Sequence, residues 1–294
     1  MESVKFFQGA AFLLMLSTLF VPSIIHAGEG NISVQPPPMD FTMPGKESEE
    51  CMEVWGEQKK FQEELEQSPN KGEFLKEHGN SPQQEKFREC FARRKLSLIS
   101  LTAKADGFTM SGTGITHTLI GHMPKESGIH YLSFPVSLLL IRGDLPGVDM
   151  SVFGAGTGLD LGRYFITQDH FAIGGYTGFS YSTTTTRIKV NGEALPSSSS
   201  RAVGLKLGGQ VLIQAGPLMI TPFYTMESGK VKTSTQDING KDVDISSGYS
   251  SSTYGLDLLH NDSGITLSAI MQQMKDSEEP EGVDIQIIQL SILF

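Results

Sequence analysis

The sequence closes with the stretch Val283-Asp-Ile-Gln-Ile-Ile-Gln-Leu-Ser-Ile-Leu-Phe294. Counting back from Phe294, the alternate residues Ile292, Leu290 and Ile288 are all apolar. Because successive side chains of a strand point to opposite faces, these residues share one face of a predicted β-strand. A soluble protein would have to cover such a face, whereas the last strand of a membrane barrel turns it toward lipid.

This stretch resembles the C-terminal strand of bacterial outer-membrane proteins, which typically ends in Phe after alternating apolar residues. The resemblance implies that Leu290, Ile292 and Phe294 form a signal for the barrel-assembly machinery. It also implies export to the outer membrane of a Gram-negative bacterium.

Composition limits the alternatives. The 294 residues allow one sizeable domain and a smaller one. A net charge of −10 argues against a surface that binds nucleic acid. A hydrophobic content of 38% is too low for a bundle of membrane helices. It is compatible with a barrel, whose strands are apolar on one face only.

The N-terminus predicts a secretory signal peptide over residues 1–27, with Lys5 before an apolar run and Ala27 as the last residue before cleavage. An uncleaved membrane anchor is the alternative. Residues 28–46 are rich in proline and predict a linker.

Residues 47–96 predict a periplasmic helical hairpin. Apolar residues recur at helical spacing over 47–68, and a short helical segment is expected over 73–78. Ser81 and Pro82 are typical of a helix start, and Arg93, Arg94 and Lys95 suit a helix C-terminus.

The two cysteines, Cys51 and Cys90, fall on the apolar faces of these two longer helices. In an exported chain such a pair predicts a disulfide, and two free buried thiols are the alternative. Together with His78 they are too few for a metal site.

From residue 129 onward the pattern changes to strands, each about as long as a bilayer requires. They are predicted over residues 130–141, 151–165, 170–184, 201–213, 218–230, 248–260, 265–275 and 283–294. Three of them show a clear alternation. The expected outward residues are Phe171, Ile173, Thr177, Phe179 and Tyr181; Val203, Leu205, Leu207, Val211 and Ile213; and Tyr254, Leu256 and Leu258.

The opposite faces carry Gly, Ser and Thr, which suits a narrow barrel interior better than a solvated surface. The connections between the predicted strands alternate between long and short. Long polar loops are expected over residues 142–150, 185–200, 231–247 and 276–282, and short turns between them. With Phe294 at the periplasmic end, every long loop would face outward.

These features resemble the small OmpA/OmpX-type outer-membrane barrels over residues 129–294. The predicted fold is therefore an all-β, up-and-down antiparallel transmembrane barrel of eight strands after a disulfide-linked helical hairpin. Residues 97–128 form either a connecting segment or two further strands, which would raise the number to ten.

Asp160, Lys206 and Asp257 fall on the polar faces, where they predict an ion-pair network inside the barrel. Such a network either stabilises a filled interior or selects ions in a narrow pore.

No arrangement predicts catalysis, a cofactor or a metal. His260 and Ser263 belong to a predicted turn. The small outer-membrane barrels that deacylate lipid A carry a His-x-Ser arrangement, whereas this chain has His-x-x-Ser. His117, His122 and His130 lack supporting acidic or cysteine ligands, and we expect them near the membrane boundary.

The sequence thus predicts a non-enzymatic outer-membrane barrel with a structural or surface-interaction role. The alternatives are a small channel or passive transporter, and an outer-membrane lipid-modifying enzyme. The expected partners are outer-membrane lipid, the assembly machinery and an unidentified periplasmic or extracellular protein.

Overall fold

The computed structural model describes residues 49–78, 82–105, 108–122, 131–145, 148–236, 241–276 and 282–293. The predicted signal peptide, linker, His130 and Phe294 lie outside these residues. Within them no helix is both long and apolar enough to cross a membrane.

Three helices precede the strands: α1 (Glu49–Gln67), α2 (Lys71–His78) and α3 (Pro82–Phe91). Cys51 of α1 and Cys90 of α3 form the predicted disulfide, with an S–S distance of 2.11 Å. Beside it, the Trp55 ring stacks on Phe87 and contacts Phe91. Because so small an apolar cluster stabilises little by itself, the disulfide is the main restraint on the hairpin.

Helix α3 continues directly into the sheet, since Phe91 is its last residue and Ala92 is the first residue of a strand. The prediction that Arg93, Arg94 and Lys95 close a helix is therefore wrong. These residues begin a strand in which Lys95 points inward and Leu96 outward. The alternation Lys95, Ser97, Ile99 and Leu101 on one face has the period of a strand.

The described residues form eleven strands, ten of which build the wall of the barrel. They are β1 (Ala92–Ala105), β2 (Phe108–His122), β3 (Tyr131–Leu145), β4 (Val148–Gln168), β5 (Phe171–Val190), the two-residue β6 (Glu193–Ala194), β7 (Ser198–Ala215), β8 (Leu218–Gln236), β9 (Asp242–His260), β10 (Ile265–Asp276) and β11 (Val283–Leu293). The open choice between eight and ten strands is thereby decided, because residues 97–128 contribute β1 and β2.

The sheet is antiparallel throughout and closed. Each wall strand pairs with the next, and β1 pairs with β11 from Lys95↔Leu293 to Lys104↔Asp284. Closure leaves no free sheet edge around the wall, which is a requirement for strands in lipid.

The predicted faces are confirmed. The apolar residues assigned outward in β5, β7 and β9 point away from the barrel axis, and Ile288, Leu290 and Ile292 of β11 do the same. Several of these side chains are largely exposed, among them Leu205 at 73% and Ile288 at 62%. On β7 the apolar outward positions run from Val203 to Ile213, a height of about 25 Å at ordinary strand rise and tilt. This is a transmembrane β-barrel.

The predicted alternation of long loops and short turns between the strands needs correction. The polar segments predicted as loops are mostly continuations of the strands, because β5 runs to Val190 and β8 to Gln236. Threonine has a high strand propensity, and Thr183–Thr186 of β5 continue the ladder above the apolar belt. Asn191 and Gly192, with φ of 50° and 87°, then make a two-residue hairpin turn.

The two ends of the barrel still differ. Strands β4, β5, β7, β8 and β9 are 18 to 21 residues long, whereas β1, β2, β3, β10 and β11 have 11 to 15. In β8 and β9 the extra length lies at the end opposite the helices, where β9 continues to Asp242 beyond its last β10 pair, Tyr249↔Asp276; we call this the tall end. Strand β4 instead extends at the helical end, from Gly162 opposite Tyr131 to Gln168. The helical end carries tight turns at 169–170, 216–217 and 261–264.

We predict that the double variant Cys51→Ser/Cys90→Ser loses the hairpin and keeps the barrel. On the chain-entropy account, a disulfide closing a loop of this size stabilises by about 4 kcal/mol, most of it confined to the helices. Limited proteolysis should cleave within residues 49–91 faster than in the wild type. The heat-modifiable gel band of the barrel should be unchanged. A hairpin that resists protease equally in both proteins would contradict this account.

Candidate functional site

The barrel interior is the candidate site, and it is filled with side chains in three layers. The layer toward the tall end is apolar and forms a single packed cluster. Its members include Leu101, Met110, Ile141, Met274 and Ile285. Apolar side chains at such positions exclude water from the lumen.

A second apolar layer lies toward the helical end. It consists of Tyr131, Tyr164, Tyr176, Ala172, Leu212, Met219 and Leu259. The rings of Tyr131 and Tyr164 contact each other, with centroids 5.8 Å apart. Tyr131 is completely buried. Aromatic rings therefore occupy the end of the lumen next to the tight turns.

These rings occupy space that glycines leave on the adjacent strand. Tyr131 is paired in register with Gly162, and Tyr176 with Gly208. A Cβ added to Gly162 would lie 1.9 Å from the Tyr131 ring, and one added to Gly208 would lie 2.3 Å from the Tyr176 ring. The tyrosine rings thus pack against glycines of the inner face. This packing is a physical reason for the abundance of Gly in the chain.

The middle layer is polar and carries the buried charges. Lys206 Nζ lies 2.6 Å from Asp160 Oδ1, and both side chains are almost fully buried. The pair reaches from β4 to β7 across the inward face of β5. The structure thereby brings together two of the three residues predicted to form the network.

Asp257, the third, has a different partner. It interacts electrostatically with Lys95 of β1, and Ser268 is its neighbour in register on β10. Lys95 was missed because its position after a helix suggested a helix cap. Its two-residue spacing to Ser97 and Ile99 is the signal that identifies it as an inward strand residue.

Glu227 of β8 is a further buried carboxylate that the sequence reasoning did not select. Ser180 Oγ and Tyr249 Oη both donate hydrogen bonds to its Oε1, each at 2.5 Å. Its place in the inward series Phe223, Thr225 and Glu227 could have identified it. The three buried carboxylates thus each have a lysine or hydroxyl donors nearby.

Neutral hydrogen bonds complete the polar layer. Gln210 Nε2 donates to Tyr164 Oη at 2.7 Å, and the Tyr176 and Thr225 hydroxyls bond to each other. On the other side of the barrel, Gln289 Nε2 donates to Ser97 Oγ at 2.8 Å. Several of these contacts span one intervening strand, which shows how narrow the lumen is at this height.

The histidines do not assemble into a site. His117 points outward on β2, and His122 points inward at the end of that strand, where it is buried. Among the described residues no group of three His, Cys, Asp or Glu side chains is placed to hold a metal ion.

His260 and Ser263 do approach each other, with Nδ1 and Oγ 3.1 Å apart in the exposed turn after β9. The Ser263 hydroxyl also accepts a hydrogen bond from the Ile265 amide. Asp257, three residues before the histidine, points into the lumen and is fully buried. The pair therefore serves the turn and is not oriented by that carboxylate as a catalytic triad would require.

Comparison with known proteins gives fold likeness only. No protein-family model matches the chain, and no curated protein matches it. Similar solved structures include the outer membrane protease OmpT from Escherichia coli, with a TM-score of 0.44, 7% identity, and 69% of this chain and 95% of that chain covered. The translocator domain of the autotransporter NalP from Neisseria meningitidis has a TM-score of 0.42, 7% identity and coverages of 69% and 88%.

The attachment invasion locus protein Ail of Yersinia pestis is also similar, with a TM-score of 0.29, 12% identity and coverages of 69% and 97%. Since all three TM-scores are below 0.5, none of these structures assigns a function to the chain. The closed wall and its apolar exterior give it the fold of an outer-membrane β-barrel.

We predict that Lys206→Met is strongly destabilising, by about 3–5 kcal/mol, because it leaves the Asp160 carboxylate buried without its cation. Asp160→Asn/Lys206→Met should recover much of that loss. Urea unfolding in detergent, followed by the heat-modifiable gel shift, measures the stability of both variants. The matched control is Lys232→Met, which breaks an exposed ion pair with Asp244 and should cost at most about 1 kcal/mol. An equal loss of stability in Lys206→Met and Lys232→Met would contradict the role of Lys206 as the buried partner of Asp160.

We also predict that Gly208→Ala destabilises the barrel by about 1–3 kcal/mol, because its Cβ overlaps the Tyr176 ring. The neighbouring Gly209→Ala is the control, since a Cβ there meets its nearest atom at an ordinary 3.6 Å. Both variants are compared by the same urea titration. A Gly209→Ala protein less stable than Gly208→Ala would show that the ring does not rest on Gly208.

Proposed function

We propose that this protein is a non-enzymatic outer-membrane barrel that does not conduct and acts through structure or surface contact. The observation that carries the proposal is the filled lumen. Apolar layers lie above and below a polar layer whose charges are paired or hydrogen-bonded. A pore would need an inner face that water can follow from one end to the other, and here two dry layers interrupt it.

We place the helical hairpin in the periplasm. It joins β1 at the barrel end that carries the tight turns, and outer-membrane barrels keep short turns on the periplasmic side. The tall end then rises from the outer surface. Its strand extensions are rich in Ser and Thr, which suits contact with water, glycan or another protein at the cell surface.

A small channel is the second candidate, and one observation favours it. The wall has ten strands, and a wider wall encloses more space than the eight strands first expected. Against it stands the size of the side chains, because inward Met, Ile, Phe and Tyr residues fill that space. A lipid-modifying enzyme is the weaker alternative, since the His260–Ser263 pair lies on the proposed periplasmic side.

We predict that the purified protein gives no steady single-channel openings in planar bilayers. Insertion is verified separately by the heat-modifiable gel shift of protein recovered from the same bilayer preparation. Steady openings from correctly folded protein would overturn the non-conducting role in favour of the channel.

The enzyme alternative and the location are tested in cells. Lipid A mass spectra of expressing and deletion strains should be identical, and a changed acylation or phosphate pattern would support the enzyme. The protein should fractionate with the outer membrane. Recovery in the soluble periplasm would contradict the proposed location.

A further inference from the structure

Three cations crowd one patch of the outer wall at the tall end. Arg201 of β7 and Lys230 and Lys232 of β8 all point outward and are exposed. Arg201 is paired in register with Lys232, and Lys230 with Val203, the residue two positions from Arg201. We call Arg201, Lys230 and Lys232 the basic patch.

Like charges directly opposite each other on antiparallel strands are destabilising. Other outward cations of this barrel avoid that arrangement. Lys104 is opposite Asp284 across the β1–β11 pair, and Lys189 is opposite Asp149 across the β4–β5 pair. Among the residues that the structure describes, a single carboxylate forms an ion pair with the basic patch: Asp244 contacts Lys232 at 2.6 Å. Three cations against one carboxylate leave the patch with uncompensated positive charge.

The height of the basic patch indicates what neutralises it. Arg201 directly follows the apolar belt of β7, in which Val203, Leu205 and Leu207 are 55%, 73% and 58% exposed. A lipid that covers this belt with its acyl chains brings its headgroup to the level of Arg201 and Lys230. Basic clusters next to a membrane-embedded surface attract anionic headgroups.

We propose that the basic patch binds the phosphate groups of the phosphorylated glycolipid that forms the outer leaflet, while Val203, Leu205 and Leu207 contact its acyl chains. This inference rests on the proposed outer-membrane insertion with the tall end outward. Arginine suits the site because its planar guanidinium binds phosphate oxygens in pairs. Lys230 adds a second positive charge next to it.

The test uses full-length protein folded in detergent, with bisphosphorylated lipid A in mixed micelles as the probe. The variant Arg201→Gln/Lys230→Gln removes two charges of the basic patch and leaves the Lys232–Asp244 contact in place. Its affinity should fall roughly 30-fold, about fivefold for each charge removed. The control Lys104→Gln/Lys189→Gln removes the same charge from positions opposite carboxylates and should bind within about twofold of wild type.

Two further lipid probes test whether binding to the basic patch depends on the phosphate groups of lipid A. Enzymatically dephosphorylated lipid A should bind wild type as weakly as intact lipid A binds the basic-patch variant. Phosphatidylglycerol, which carries one phosphate charge, should distinguish the basic-patch variant from the control less than bisphosphorylated lipid A does. Equal losses in both double variants, or unchanged binding after dephosphorylation, would overturn the proposal.

Failure here is distinguishable from failure of the proposed location. Each variant must retain the heat-modifiable gel shift, and the wild type is fractionated independently. A protein found in the outer membrane that binds both forms of lipid A equally would refute the basic patch alone.

Discussion

Closure of the hydrogen-bonded ladder is the constraint on which the rest of this structure depends. In a bilayer no water is available to bond an exposed amide, so a spanning sheet must pair its first strand with its last. Here β1 meets β11 over ten paired positions. Because β1 starts where α3 ends, closing the wall also fixes the helical hairpin to one end of the barrel.

Closure also determines how the inner face is used. Ten strands enclose more volume than small side chains can fill. The chain fills it with tyrosine rings resting on glycines, with an apolar cluster, and with buried ions. The Asp160–Lys206 pair and the electrostatic attraction between Lys95 and Asp257 link strands that are not hydrogen-bonded to each other. Breaking one partner is costly because the remaining charge stays in a dry lumen.

Much of the architecture could be predicted from the sequence, because alternation with a period of two survives wherever one face meets lipid. The outward faces of β5, β7 and β9 were predicted from this alternation. The disulfide was predicted from the pair of cysteines. Strand β1 was partly misassigned, since Arg93 to Lys95 fit a helix end locally and the two-residue spacing of Lys95, Ser97 and Ile99 was overlooked. Pairing of Arg93 to Lys95 with β2 shows that they belong to the strand. The polar ends of the long strands were predicted as loops because serine and threonine occur both in loops and in strands. The partners of Asp257 and Glu227 depend on which strands face each other across the lumen, and local patterns carry no information on that.

Cross-linking across the seam tests the central claim of a closed ten-stranded wall most directly. Ser97 and Ser291 are inward partners in register on β1 and β11, so Ser97→Cys/Ser291→Cys should link on oxidation in intact cells, in a background without Cys51 and Cys90. Ser133→Cys/Ser291→Cys tests the closure that a barrel beginning at β3 would need, and it should not link. A reducible mobility shift in the first variant alone is the expected result. A link in the second variant and none in the first would contradict the ten-stranded barrel.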